Sequence, residues 1–154
     1  MKALSTFLTA SVLAATSASA EQIKASDPDG LTNFLVAEGI DAKLGEDDYG
    51  DPIIRIKYYG TNFSLYFYGC NEAQNCQSIQ FYVGYRTQGS WSDDQATTWN
   101  RERRYSKAYV TDKGSSRLEY DVYTGDYGVH PDDFVEMFST WTRDIEDFEA
   151  EISW

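Results

Sequence analysis

The stretch from Ile53 to Tyr85 constrains the fold most, because apolar and polar residues alternate along it. Successive side chains of a strand point to opposite faces. The alternation therefore sorts Ile54, Ile56 and Tyr58 to one face and Arg55 and Lys57 to the other. Phe63, Leu65 and Phe67 alternate in the same way with Ser64, Tyr66 and Tyr68. Ile79, Phe81, Val83 and Tyr85 alternate with Gln80 and Tyr82. Gly60-Thr61-Asn62 turns the chain between the first two runs, the first of which is read as Ile53 to Tyr59. β-Branched and aromatic residues at period two, separated by turn residues, predict an antiparallel meander with one face in the core. Ala42 to Glu46 reads as a weaker preceding strand, with a turn over residues 47–52.

Helices are expected around this meander. Glu21 to Ser26 is a short polar segment expected to fray. Asp27-Pro28-Asp29-Gly30 then opens a helix whose Leu31, Phe34, Leu35 and Ala37 or Glu38 recur at helical spacing until Gly39. Ser92-Asp93-Asp94 supplies a cap and an acidic first turn for a helix to about Arg103, with Trp91, Ala96 and Trp99 as buried contacts. Strands over Lys107–Thr111 and Arg117–Tyr123 follow, the second turning Leu118, Tyr120 and Val122 inward. His130 caps the last helix and Pro131 suits its first position. Phe134, Phe138, Trp141, Ile145, Phe148 and Ile152 then form an apolar stripe that must cover a sheet or meet another chain. Segregated helices and strands make the class α+β, an antiparallel sheet of about five to six strands with helices on one face. No repeat or linker divides the chain, so residues 21–154 are expected to form a single domain.

The first twenty residues read as a secretory signal peptide. Lys2 supplies a positive end, Ala3 to Ala15 an apolar run, and Ala18-Ser19-Ala20 a small-residue cleavage site. The run is shorter than the ~20 residues a membrane span needs, and no cysteine lies near the cleavage point for acylation, the first being Cys70. A periplasmic or secreted protein is expected, with no membrane attachment after cleavage. Residues 21–154 carry 12 basic and 25 acidic side chains, a net charge of −13. That balance argues against nucleic acid and anionic lipid as partners. In an oxidising compartment the close pair Cys70 and Cys76 predicts a disulfide across the mouth of a hairpin, worth roughly 2 kcal/mol by loop entropy.

Four stretches resemble the YbjN-like domain family: GLTNFLVAEGIDAKL, YYGTNFSLYFYGC, TTWNRERRYSKAYV and RLEYDVYTGDYGVHPDDFVEMFSTW. Their order and spacing carry the resemblance over most of Gly30 to Ile152. The resemblance implies a fold similar to type III secretion chaperones and, for some members, a role in regulating sensory transduction. It brings no enzymatic activity or catalytic residues with it. A leader and a disulfide set this chain apart from cytoplasmic members.

Candidate interaction residues fall in two groups. Tyr66, Tyr68 and Tyr82 lie on the outward face of the meander, with Tyr59 on an adjoining strand. Tyrosine there suits either a partner surface or cross-strand pairs that stabilise the sheet. Arg101, Arg103 and Arg104 form a basic island that suits either docking of an anionic group or compensation of a helix C-terminus and local acids. Asp47, Asp48 and Asp51, like Asp27 and Asp29, lack the ligand spacing of a calcium loop and read as acidic turns. No metal or other cofactor is expected. Catalysis is not expected either, since His130 is the only histidine and no nucleophile, zinc or phosphate-loop motif occurs. The residues point to a non-enzymatic protein-binding module, chaperone-like or regulatory. Its partner would be another protein or a second copy in a homodimer, docked on the sheet face or the last helix. The alternative is a periplasmic inhibitor of a basic secreted hydrolase, steered by charge.

Overall fold

The computed structural model describes residues 21–154, so the expected signal peptide lies outside the described residues. The elements run α1 (Pro28–Ala37), β1 (Asp41–Glu46), β2 (Pro52–Tyr58), β3 (Thr61–Tyr68), β4 (Ser78–Tyr85), α2 (Asp93–Glu102), β5 (Lys107–Val110), β6 (Ser116–Tyr123) and α3 (Pro131–Glu151). All six strands join one antiparallel sheet in the order β1-β2-β3-β4-β6-β5. The chain leaves β4 through α2, makes the edge strand β5, and returns as β6 to pair beside β4 from Ser78↔Tyr123 to Tyr85↔Ser116.

The sequence explains where each helix begins. Asp27 accepts the N–H of Gly30 at 2.9 Å with Pro28 in the first turn, and Gly39 at φ +80° stops α1. Ser92 and Gln95 form a reciprocal capping box at α2, each side chain accepting the other's backbone N–H. His130 Nδ1 accepts the Asp132 N–H at 3.2 Å ahead of Pro131.

The stripe on α3 meets the sheet. Phe134, Phe138, Trp141, Ile145, Phe148 and Ile152 are all buried, whereas α1 buries Leu31 and Leu35 and α2 buries Ala96 and Trp99. At roughly 1.5–3 kcal/mol per large apolar side chain, α3 makes the largest apolar contribution of any helix. Phe81, in the central strand β4, is the hub. Its ring centre lies 5.6 Å from Trp141, 5.8 Å from Tyr120, 5.9 Å from Phe134 and 6.3 Å from Phe138. Trp91, Trp99 and Tyr85 gather on Phe148 in a second aromatic group. Glu149 fastens the end of α3 by accepting Tyr85 OH at 2.7 Å and Thr61 Oγ1 at 2.9 Å.

Four expectations are corrected. The segment before α1 is tied down: Ile23 and Val129 exchange two backbone hydrogen bonds of 2.9 Å, and Ala25, fully buried, donates its N–H to Thr124 Oγ1. The buried face of α1, expected to include Ala37 or Glu38, ends at Leu35: the helix runs to Ala37 and is capped by Glu38, and both of those residues are exposed. Tyr59 is not in a strand. With φ of +44° it forms, with Gly60 at +96°, the two-residue turn between the facing Tyr58 and Thr61. Thr61 and Asn62, expected in that turn, instead open β3 and pair with Tyr58 and Lys57. Tyr120 does lie on the inward face, half-buried and packed on Phe81 and Tyr105. Other boundaries shift by one residue.

Candidate functional site

Among the described residues the helices cover one face of the sheet and leave the other open. Cross-strand register lines up Lys43, Arg55, Ser64, Tyr82, Glu119 and Lys107 in one row across the open face. The neighbouring row holds Gly45, Ile53, Tyr66, Gln80 and Asp121. Tyr66 and Tyr82 are diagonal neighbours, and their rings meet edge to face at 5.4 Å. Ile53 is buried on this side too, opposite Gly45 and Tyr66. Tyr68 sits further along the same face and donates its hydroxyl to Gln80 Oε1 at 3.4 Å. Burial is the first cause that raises the pKa of both Tyr68 and Tyr82, so both hydroxyls are neutral donors at ordinary pH.

The face has two chemically different halves. Over β4, β6 and β5 the polar groups satisfy one another. Gln80 Nε2 donates to Asp121 at 2.7 Å, Lys107 Nζ bridges Glu119 at 3.2 Å and Asp121 at 3.6 Å, and Tyr109 OH donates to Glu119 at 2.7 Å. Burial favours the neutral amine of Lys107, but its hydrogen bonds and charge pairing with Glu119 and Asp121 outweigh that and raise its pKa. Over β1, β2 and β3, reaching to the ends of β4 and β6, lies a shallow basin of about 540 Å³. Lys43, Arg55, Lys57, Arg86 and Arg117 line it with Tyr66 and Tyr82, and Asp41 is its one carboxylate.

Backbone close to two guanidinium groups shapes that basin. A Cβ on Gly45 would fall 2.7 Å from Arg55 Nη1, and one on Gly84 2.5 Å from Arg117 Nη1. Both glycines let an arginine lie low over the sheet. Arg117 also stands over Tyr82 at 5.8 Å, and Arg55 Nη2 donates to the Glu46 carbonyl at 3.3 Å.

The structure separates the expected interaction residues. Tyr66, Tyr68 and Tyr82 share the open face, whereas Tyr59 projects from its turn, 93% exposed, with its ring edge-on to Tyr58 at 4.5 Å. The arginine cluster lies apart, at the end of α2. Arg103 bonds Asp147 of α3 at 2.6 Å, approaches Asp144 at 3.8 Å and covers the Trp99 ring at 4.6 Å. Arg101 and Arg104 are exposed. Cys70 and Cys76 are joined in a disulfide within the loop between β3 and β4, and Cys76 is fully buried. The acidic runs serve local structure: Asp47 Oδ1 accepts the N–H groups of Tyr49 and Asp51, and Asp27 caps α1. Among the described residues no three His, Cys, Asp or Glu side chains gather as a metal site. Nor is any helix among them long and apolar enough to cross a membrane.

Sequence reading missed the convergence of Lys43, Arg55, Lys57, Arg86 and Arg117. The polar positions of Arg55 and Lys57 were visible in the alternation, but the partners come from three other strands or their ends.

No curated relative matches the sequence. The family model described as "putative bacterial sensory transduction regulator" matches residues 27–154, from the N-cap of α1 to the last residue, and so takes in every helix and strand of the fold. With that match spanning both layers and the open sheet face, the chain belongs to the YbjN family.

Proposed function

We propose that this protein is an exported, non-enzymatic binding module, regulatory or chaperone-like, that engages a protein partner through the open face of its sheet. One observation carries the reading: six strands expose a face that no helix among the described residues covers, with the paired rings of Tyr66 and Tyr82 at its centre. Tyrosine offers large contact area at low rotamer cost, which suits a reversible protein contact. The family's regulatory description supports binding as the task. Export is supported by the leader pattern and by the Cys70–Cys76 disulfide, a bond that persists in oxidising compartments. The alternative of inhibiting a basic hydrolase finds no support, since the open face presents cations in its basin.

Crosslinking in intact cells followed by mass spectrometry tests the reading, comparing the parent with Tyr66→Ala/Tyr82→Ala. A specific partner recovered by the parent and lost by a variant of unchanged fold is the expected result. Equal recovery by both would remove the sheet face from the proposal. Fractionation tests export: the chain should leave the cytoplasm lighter by two hydrogens than its reduced form, and cytoplasmic protein with free thiols would refute this part.

A further inference from the structure

We infer that the basin on the open face binds an extended acidic segment of the partner protein, with carboxylates at alternate positions. The inference rests on the reading above and adds the chemistry of the partner.

Charge distribution is the first support. Five of the 12 cations among residues 21–154 line this one basin against the single carboxylate of Asp41. That leaves the basin at +4 and, with residues 21–154 at −13, the remaining surface at −17. Such concentration is not explained by stability. Lys43 and Arg55 are directly opposed across β1 and β2, an arrangement of like charges that weakens a strand pair. Among the described residues Arg55, Lys57, Arg86 and Arg117 form no ion pair, and Lys43 has only Asp41 at 3.8 Å. Uncompensated cations seated over glycine are available to a ligand, whereas those near Glu119 and Asp147 are already engaged.

Size and spacing select the ligand. A membrane or a nucleic-acid duplex is broad enough to bring its phosphates against the strongly acidic remainder of the surface, which would repel it. A slender segment confined to the basin avoids that repulsion. Arg55 and Lys57 stand two residues apart on one strand, about 6.6 Å along it, which is also the repeat of alternate side chains in an extended peptide. Guanidinium groups suit carboxylates in bidentate geometry. Tyr66 and Tyr82 supply apolar area beside the charges, and a volume of about 540 Å³ accommodates a short segment.

The test is an NMR titration of the oxidised protein with an end-blocked octapeptide of alternating Glu and Thr. Comparison ligands are its Gln-for-Glu counterpart, a same-composition peptide with the glutamates in one block, inorganic phosphate, and phosphatidylglycerol vesicles. Saturable shifts at the amides of Lys43, Arg55, Lys57, Arg86 and Arg117 are expected, with affinity about tenfold above the Gln peptide and falling with salt. Arg55→Gln/Lys57→Gln should weaken binding about tenfold, and Lys57→Gln/Arg86→Gln provides a second pair should the first perturb folding; Arg101→Gln/Arg104→Gln should leave it unchanged. Equal affinity for the Gln or block peptide, shifts centred on Arg101 to Arg104, tighter binding of phosphate or vesicles, or no saturation would each overturn the inference. A partner still crosslinked by the Arg55→Gln/Lys57→Gln variant but lost by Tyr66→Ala/Tyr82→Ala would overturn it while leaving the proposed function standing.

Discussion

Replacing Arg103 by alanine separates the two roles open to the arginine cluster at the end of α2. Arg103 Nη1 lies 2.6 Å from Asp147 and 3.8 Å from Asp144, and its guanidinium covers Trp99 at 4.6 Å. An exposed ion pair such as that to Asp147 contributes about 0.2–1 kcal/mol. The cation–π contact adds about 0.5–1 kcal/mol. The Asp144 side chain is only 12% exposed, so removing its cation leaves a carboxylate with poor access to water, at a cost of about 1 kcal/mol. Because these effects share one side chain they are not strictly additive, and about 2 kcal/mol is the expected loss. An unfolding entropy of about 2.1 cal/mol/K per residue then lowers the melting temperature of a chain this size by about 7 °C. Thermal unfolding followed by far-UV circular dichroism reads this directly. Arg101→Ala and Arg104→Ala, at exposed positions, should stay within about 0.5 kcal/mol of the parent. An Arg103→Ala variant that melts with the parent yet loses its crosslinked partner would refute the structural role and return the cluster to docking.

Reducing the Cys70–Cys76 bond should destabilise the protein by about 2 kcal/mol, the loop entropy for a separation of 6, seen as a lower urea midpoint with dithiothreitol; an unmoved midpoint would count against it. Ile23→Ala should cost about 2–4 kcal/mol, since Ile23 is buried against the core beyond its bridge to Val129; a change under about 0.5 kcal/mol would show that the segment frays. Burial, joined by hydrogen bonds to Glu149 and Glu119, raises the pKa of Tyr85 and Tyr109, and burial also raises those of Tyr68, Tyr82 and Tyr120. Each raised pKa means the folded state holds the proton more tightly, so this stability is complete below the unfolded value of about 10 and is lost as pH climbs through the folded values. An ultraviolet titration of the folded protein should therefore show late-ionising tyrosines that join the rest on unfolding, and a single step for all 12 would contradict this.

How far the fold was legible depends on how local its cause is. The alternation from Ile53 to Tyr85 names the inward side chains, because period two is a property of each strand alone. The stripe on α3 and the caps Asp27, Ser92 and His130 are equally local and occur where the residues place them. Tyr59 misled because its side chain favours strands, whereas the two-residue connection demanded a positive φ. Glu21 to Ser26 misled because its ordering depends on Val129 and Thr124, about a hundred residues away.

The candidate site shows the same division. Tyr66, Tyr68 and Tyr82 could be assigned to the outward face, and the arginine cluster could be assigned to a helix end, from spacing alone. Neither spacing nor composition could show that Arg103 reaches across to α3 while Arg101 and Arg104 remain outside. The sequence by itself determined the class of fold, the inward faces of β2, β3, β4 and β6, the helix starts and an acidic surface, because these follow from residues close along the chain. Only the tertiary structure decided that β6 and not β5 pairs with β4, and that cations from separate strands converge on one basin. Both depend on which distant segments pair, above all β4 with β6, and no pattern local to one strand settles that.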